Sequence, residues 1–220
     1  MTITFPRDTP ATGASGQEFE IQRVDFGAPE ASGFQGGVQA GFPLWLGVWS
    51  LGRMGPARSD LWRAWLLTMR GRQRRFYGRD MARPRPLAHI NGLPGGWNGD
   101  ASAWSQAIDA SQNALLGMTG VNAGLVLSIG DYVGFRWTTS GAQRRALVRV
   151  VEGAAASGGG AITITVEPPV PSCVPPGAVA YVERPCCIMQ LVTEESQLGA
   201  INRSLAIGGG KIVGLQDLRP

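Results

Sequence analysis

LWLGVWSLGRMGPARSDLWRAWLLTMRGRQRRFYGRD (residues 44–80) reads as a strand, a tight loop, an amphipathic helix and a strongly basic strand. The helix is expected over about residues 59–71. Ser59 is placed to cap its first turn and Asp60 to complement the positive end of the dipole. Leu61, Trp62, Trp65, Leu66 and Met69 recur at helical spacing and form one apolar stripe, the anchors of the helix on the core. Gly71 suits a left-handed C-terminal cap. Two tryptophans on one face imply burial against a sheet, each contributing about 1.5–3 kcal/mol.

The flanking sequence points to β-structure. Glycine, at 32 of 220 residues, is about twice its usual share, as expected of a loop-rich, mainly β chain. Residues 1–16 read as an extended arm. Glu18–Phe26 is a strand with a change of phase, and residues 27–41 a glycine-rich connector. Gln73–Arg79 follows the helix as a strand. Residues 104–120 carry weak helical character without an apolar stripe, so no helix is assigned there. DYVGFRWTT (131–139) and RRALVRVVE (144–152) read as a hairpin, followed by strands at AITITVEP (161–168), AVAYVE (178–183) and CCIMQLV (186–192). A last hairpin is expected from Leu205–Ile207 and Lys211–Leu215 around Gly208–Gly210. The resulting organisation is a discontinuous β-sandwich domain of residues 1–85 and 186–220. Residues 86–185 form an inserted, loop-rich antiparallel β-region resembling a barrel.

Little in the chain speaks for catalysis. His89 is the only histidine and sits among Leu87, Ala88 and Ile90, company that suits a structural role. No GxSxG elbow occurs, and Gly208–Lys211 lacks the rest of a phosphate loop. Glu194 and Glu195 are adjacent, so in a strand they point apart. Cys173, Cys186 and Cys187 make a poor disulfide framework and, with one histidine, a poor zinc set; they are expected as buried, reduced thiols. No cofactor and no metal are expected. No apolar run approaches the roughly 18 residues needed to span a bilayer, and the N-terminus does not read as a signal peptide.

The formal charge of +4 is almost all arginine, with Lys211 the one lysine. Arg70, Arg72, Arg74, Arg75, Arg79, Arg83 and Arg85 cluster after the helix. Such a cluster can pair with carboxylates on a neighbouring subunit, form a solvated face, or grip phosphates, in that order of preference. Tyr132, Phe135 and Trp137 interleave with Arg136, Arg144, Arg145 and Arg149, a pattern shared by single-strand nucleic-acid binders and by any strand with one wet face.

Taken together, these segments resemble a known family. LWLGVWSL…SDLWRAWLLTMRGRQRRFYGRD resembles the N-terminal part of distal tail proteins of long-tailed phages (siphoviruses) and prophages. GDYVGF (130–135) and EESQLGAI (194–201) fit a similar tail-tip protein. The resemblance implies a β-sandwich or split barrel of the tail-tube type with one flanking helix. It also implies a structural virion protein and no enzyme. Such proteins form homohexameric rings in the baseplate or tail tip, joining the tail tube to the tail hub and the host-attachment apparatus. Arg70, Arg72, Arg74, Arg75 and Arg79 would then be subunit-interface or lumen residues. Partners would be further copies of the chain, the tail-tube protein, the hub and tail fibres. There would be no membrane, and no nucleic acid beyond DNA passing through the lumen. The protein would reside at the virion tail tip after assembly in the host bacterial cytoplasm. The insert would face outward, where some relatives carry carbohydrate-binding or fibre-docking domains, with Trp97, Trp104 and Trp137 able to stack on a sugar but better suited to packing. Alternative expectations are a tail-tube, terminator or neck protein, a nucleic-acid-binding β-barrel and, more distantly, a hydrolase using His89.

Overall fold

In the computed structural model, residues 3–10, 14–29, 35–200 and 209–219 are described. In chain order the strands are β1 (Gly16–Gln22), β2 (Asp25–Pro29), β3 (Gln35–Gln39), β4 (Leu44–Leu51) and, after helix α1 (Pro56–Met69), β5 (Arg75–Gly78). There follow β6 (Ala103–Ile108), β7 (Ala114–Thr119), β8 (Val126–Leu127), β9 (Tyr132–Thr139), β10 (Ala142–Glu152) and β11 (Ala154–Ala155). The last are β12 (Ala161–Glu167), β13 (Val179–Tyr181), β14 (Cys187–Leu191) and β15 (Gly210–Gln216). The chain is therefore mainly β, with antiparallel sheets and, among the described residues, one α-helix.

A five-stranded sheet runs β1-β4-β15-β14-β5, so the C-terminal strands β14 and β15 insert between β4 and β5. Its core is aromatic. Phe19 stacks on Trp45 with ring centroids 5.2 Å apart, and Trp49 meets Phe76 edge-on at 5.8 Å. Gly47 and Gly214 face each other across β4 and β15. A Cβ at Gly47 would lie 2.4 Å from the Trp49 ring, and one at Gly214 2.6 Å from that of Phe76. The missing side chains make room for the large ones.

Helix α1 lies over this layer. Trp62, Trp65 and Met69 are buried, and Trp65 packs edge-on to Phe76 at 5.2 Å. Three details differ from the sequence reading. The helix begins at Pro56, with Gly55 as an N-cap that offers no side-chain bond, because proline's fixed φ and missing N–H suit the first helical position. Ser59 is thus inside the helix and buried, where its hydroxyl accepts a hydrogen bond from Arg63 Nε at 3.2 Å. At the other end, the left-handed cap is Arg70 (φ 51°), with Gly71 one residue beyond it. Leu61, expected on the buried stripe, is 55% exposed, while Leu66 is partly buried against the core.

The six-stranded sheet, β13-β9-β10-β12-β7-β6, takes all its strands from residues 103–181. The β9–β10 and β12 expectations hold. Residues 104–120, where no element was assigned, form the β6–β7 hairpin, closed by Asp109, whose carboxylate accepts the amides of Ser111 and Asn113 at 2.8 Å each. The sheet curls until its edges approach, with the Ala101 amide donating to Ala180 O at 2.9 Å. It does not close into a barrel, contrary to the barrel-like expectation. The two sheets meet where Trp45 donates to Leu147 O at 2.7 Å and Tyr77 to Gln143 Oε1 at 2.6 Å.

The connector at 27–41 contains strands: β2 and β3 pair as a two-stranded ribbon. The strand expected at Gln73–Arg79 is shorter, since Gly71–Gln73 forms a 3-10 turn before β5. The expected Leu205–Ile207 arm lies outside the described residues, whereas Lys211–Leu215 falls within β15.

Candidate functional site

The arginine segment and the N-terminal arm meet around α1 and β5. Each arginine has a distinct neighbourhood. Arg70 is exposed at the helix end. Arg72 pairs with Glu194 at 2.8 Å, with both side chains well exposed. The same arginine and the local backbone amide hold the Glu194 carboxyl below its ordinary range, the backbone contributing most. Arg74 donates to Thr68 O at 2.8 Å, satisfying a carbonyl of the last helical turn, and stacks over Phe5 at 4.5 Å. Arg75 pairs with the buried Asp217 at 2.5 Å, and Arg79 with Asp8. Further on, Arg83 pairs with Asp131 at 2.9 Å and Arg85 with Glu183 through two bonds of 2.6 Å. Most of the expected basic patch is therefore neutralised within the chain.

The N-terminal arm lies along β5. Arg7 bridges Phe76 in parallel, its amide donating to Arg75 O at 3.2 Å and its carbonyl accepting from the Tyr77 amide at 3.0 Å. Trp65 Nε1 donates to Asp8 O at 2.9 Å, and Arg7 to the Thr68 hydroxyl at 2.8 Å. The arm thereby covers the edge of β5. The opposite edge, β1, has no further strand beside it among the described residues.

The β2–β3 ribbon follows on from the end of the β1–β4 pair, between Gln22 and Leu44. Phe26 and Val38 are register partners and so share one face; they are 65% and 69% exposed, and nearby Val24 is 53% exposed. The ribbon thus carries three exposed apolar side chains among glycines, and the sequence reads it as a connector rather than as strands.

The other sequence candidates are placed as follows. His89 Nε2 accepts the Val126 amide at 2.9 Å, a structural bond. Cys186 and Cys187 are buried, with burial pushing the Cys187 thiol well above its usual value, but Cys173 is exposed, which corrects the expectation of three buried thiols. Tyr132 and Phe135 are buried, so neither offers a stacking face. The indole N–H of Trp97 is taken by Asp100 O and that of Trp104 by Ala178 O. Among the described residues, no three of His, Cys, Asp and Glu gather as a metal site, and no helix is long and apolar enough to cross a membrane.

The chain matches no known family model and no curated protein. Its exposed features are an apolar ribbon, an open strand edge and arginines largely matched within the chain.

Proposed function

We propose that this chain is a structural virion protein, a subunit of the distal tail ring that joins the tail tube to the tail-tip hub and host-recognition apparatus. The resemblance of residues 44–80, 130–135 and 194–201 to distal tail proteins supplies the identity of the assembly. The observation that carries the reading is the β2–β3 ribbon with Phe26 and Val38 held in solvent. A lone two-stranded ribbon is marginally stable in water, and a contiguous apolar face marks a contact surface. In a ring each ribbon packs on the next subunit, a head-to-tail contact that closes on itself. Arg70 and Arg72 are the members of the arginine set left for that contact. The exposed Arg72–Glu194 pair is worth little alone and exchanges readily for a neighbour's carboxylate.

Size-exclusion chromatography with light scattering tests this. The expected result is a concentration-dependent ring that Phe26→Asp with Val38→Asp abolishes while the far-ultraviolet circular dichroism is retained. A strict monomer at high concentration that also fails to bind tail-tube and hub proteins overturns it. Binding only to tube or neck proteins would move the chain to that part of the tail.

A further inference from the structure

The tip of the β9–β10 hairpin carries a cleft of about 670 Å³, lined by Arg136, Trp137, Thr138, Arg144, Arg145 and Gly177. No acidic residue lines it. Its arginines are unequally matched. Arg136 is held by Asp100 at 2.5 Å. Arg145 stacks 4.6 Å from the Tyr77 ring centroid and donates to the Tyr181 hydroxyl at 3.1 Å, without a carboxylate partner among the described residues. Arg144 has neither an ion pair nor, at its buried Nε, any hydrogen-bond acceptor among them. Elsewhere in the chain, partly buried arginines such as Arg75, Arg83 and Arg85 each have a carboxylate. A buried N–H without an acceptor costs about 1–3 kcal/mol, so this cleft is incomplete as it stands.

The backbone adds a second opening. The hairpin turn is Ser140-Gly141, both residues at positive φ (50° and 76°), so Thr139 and Ala142 close the ladder. Strand alternation then turns the N–H and C=O of Thr138 away from β10, to the same side as those of Arg136. Arg136 is paired there with Val179, but β13 ends at that residue and the chain bends away through Pro175-Pro176-Gly177. Thr138 is left as an open edge position. Arg144 and Arg145 are neighbours on β10, so their side chains leave opposite faces of the sheet, one on either side of this edge.

We propose that the cleft binds an extended acidic segment of a partner protein. The segment bonds to the Thr138 backbone and presents successive carboxylates to Arg144 on one face and to Arg145 on the other. A strand alternates its side chains with a period of two, which matches this division; a single small anion cannot reach both faces. The proposal is independent of ring formation, because every residue lining the cleft comes from one chain.

The test is fluorescence anisotropy of dye-labelled peptides with the full chain. The probes are an alternating Glu-Thr peptide, its Lys-Thr counterpart, the Glu-Thr peptide N-methylated at alternate residues, and a single-stranded oligonucleotide. The expected result is salt-sensitive binding of the Glu-Thr peptide alone. That binding should weaken about tenfold or more on Arg144→Gln and be partly restored by Arg144→Lys. Arg144 has no partner to lose, and its buried Nε has no acceptor, so neither variant should lower the unfolding midpoint. Absence of Glu-Thr binding, indifference to N-methylation, or equal binding by the oligonucleotide overturns the proposal.

Discussion

Trp45 of β4 donates its indole N–H to the carbonyl of Leu147 in β10, 2.7 Å away, and this buried bond ties the five-stranded sheet to the six-stranded one. The ring is fixed by stacking on Phe19 and by the edge of Tyr132, centroids 5.6 Å apart. Trp45→Phe keeps most of the apolar contact but removes the donor and leaves the Leu147 carbonyl unsatisfied. The expected loss is about 1–3 kcal/mol, read as a lower urea midpoint at an unchanged slope. An unchanged midpoint would mean that the sheets are held together elsewhere.

Asp131 plays a comparable part at the start of β9. Its side chain is fully buried and accepts hydrogen bonds from Arg83, from the Leu87 amide and from the Ser128 amide. Removing the carboxylate strands a guanidinium and two amides, so Asp131→Ala should cost about 3–5 kcal/mol. Arg83→Ala leaves the buried charge with its amide donors and should cost less. Equal, small losses in both variants would rule out this network as a fold determinant.

Gly160 gives a backbone test. Its φ is +73°, and a Cβ there would sit 2.6 Å from the Val121 carbonyl oxygen, a backbone atom that cannot swing away. Gly160→Ala should destabilise by about 1–3 kcal/mol. Gly158→Ala, where nothing lies within 4 Å, should stay within about 0.5 kcal/mol. Similar thermal midpoints for the two variants would refute the distinction.

These contacts also show how far the sequence could be read. Trp62, Trp65 and Met69 announced a buried helical face by their spacing, and the clean alternation of AITITVE announced β12. The helix start was misplaced because Ser59 and Asp60 look like a cap, whereas Pro56 at the first position decides it. The β6–β7 hairpin was missed for a different reason. Strand β6 has no buried residue, and only Ala114, Leu116 and Met118 of β7 carry a periodic signal. The turn signal was present in Asp109 and Asn113, where an Asx-type bond closes the loop. The β2–β3 ribbon offers little more than Phe26 and Val38 to mark it among glycines. Nor could composition tell that the arginines would be matched within the chain, since their partners Asp8, Glu194 and Asp217 lie far away in the sequence.

The chain has three tyrosines, and all are held above their ordinary pKa of 10.0. Burial is the main cause in each case; at Tyr132 the nearby Asp80 adds to it, and at Tyr181 Cys186 adds while Arg145 opposes. A group whose pKa is raised on folding stabilises the native state fully below its unfolded pKa. That contribution is lost as pH climbs towards the folded value, because the unfolded chain releases the proton first. The tyrosines' contribution to stability should therefore hold up to about pH 10 and then fall, by at most about 1.4 kcal/mol per pH unit for each such group. Phenolate absorbance should lag behind that of free tyrosine and rise together with loss of near-ultraviolet circular dichroism. Tyr181→Phe should flatten the alkaline limb of the stability curve, since phenylalanine has no proton for the unfolded chain to release. Full phenolate absorbance near pH 10 with the fold intact would show that the three rings are open to solvent.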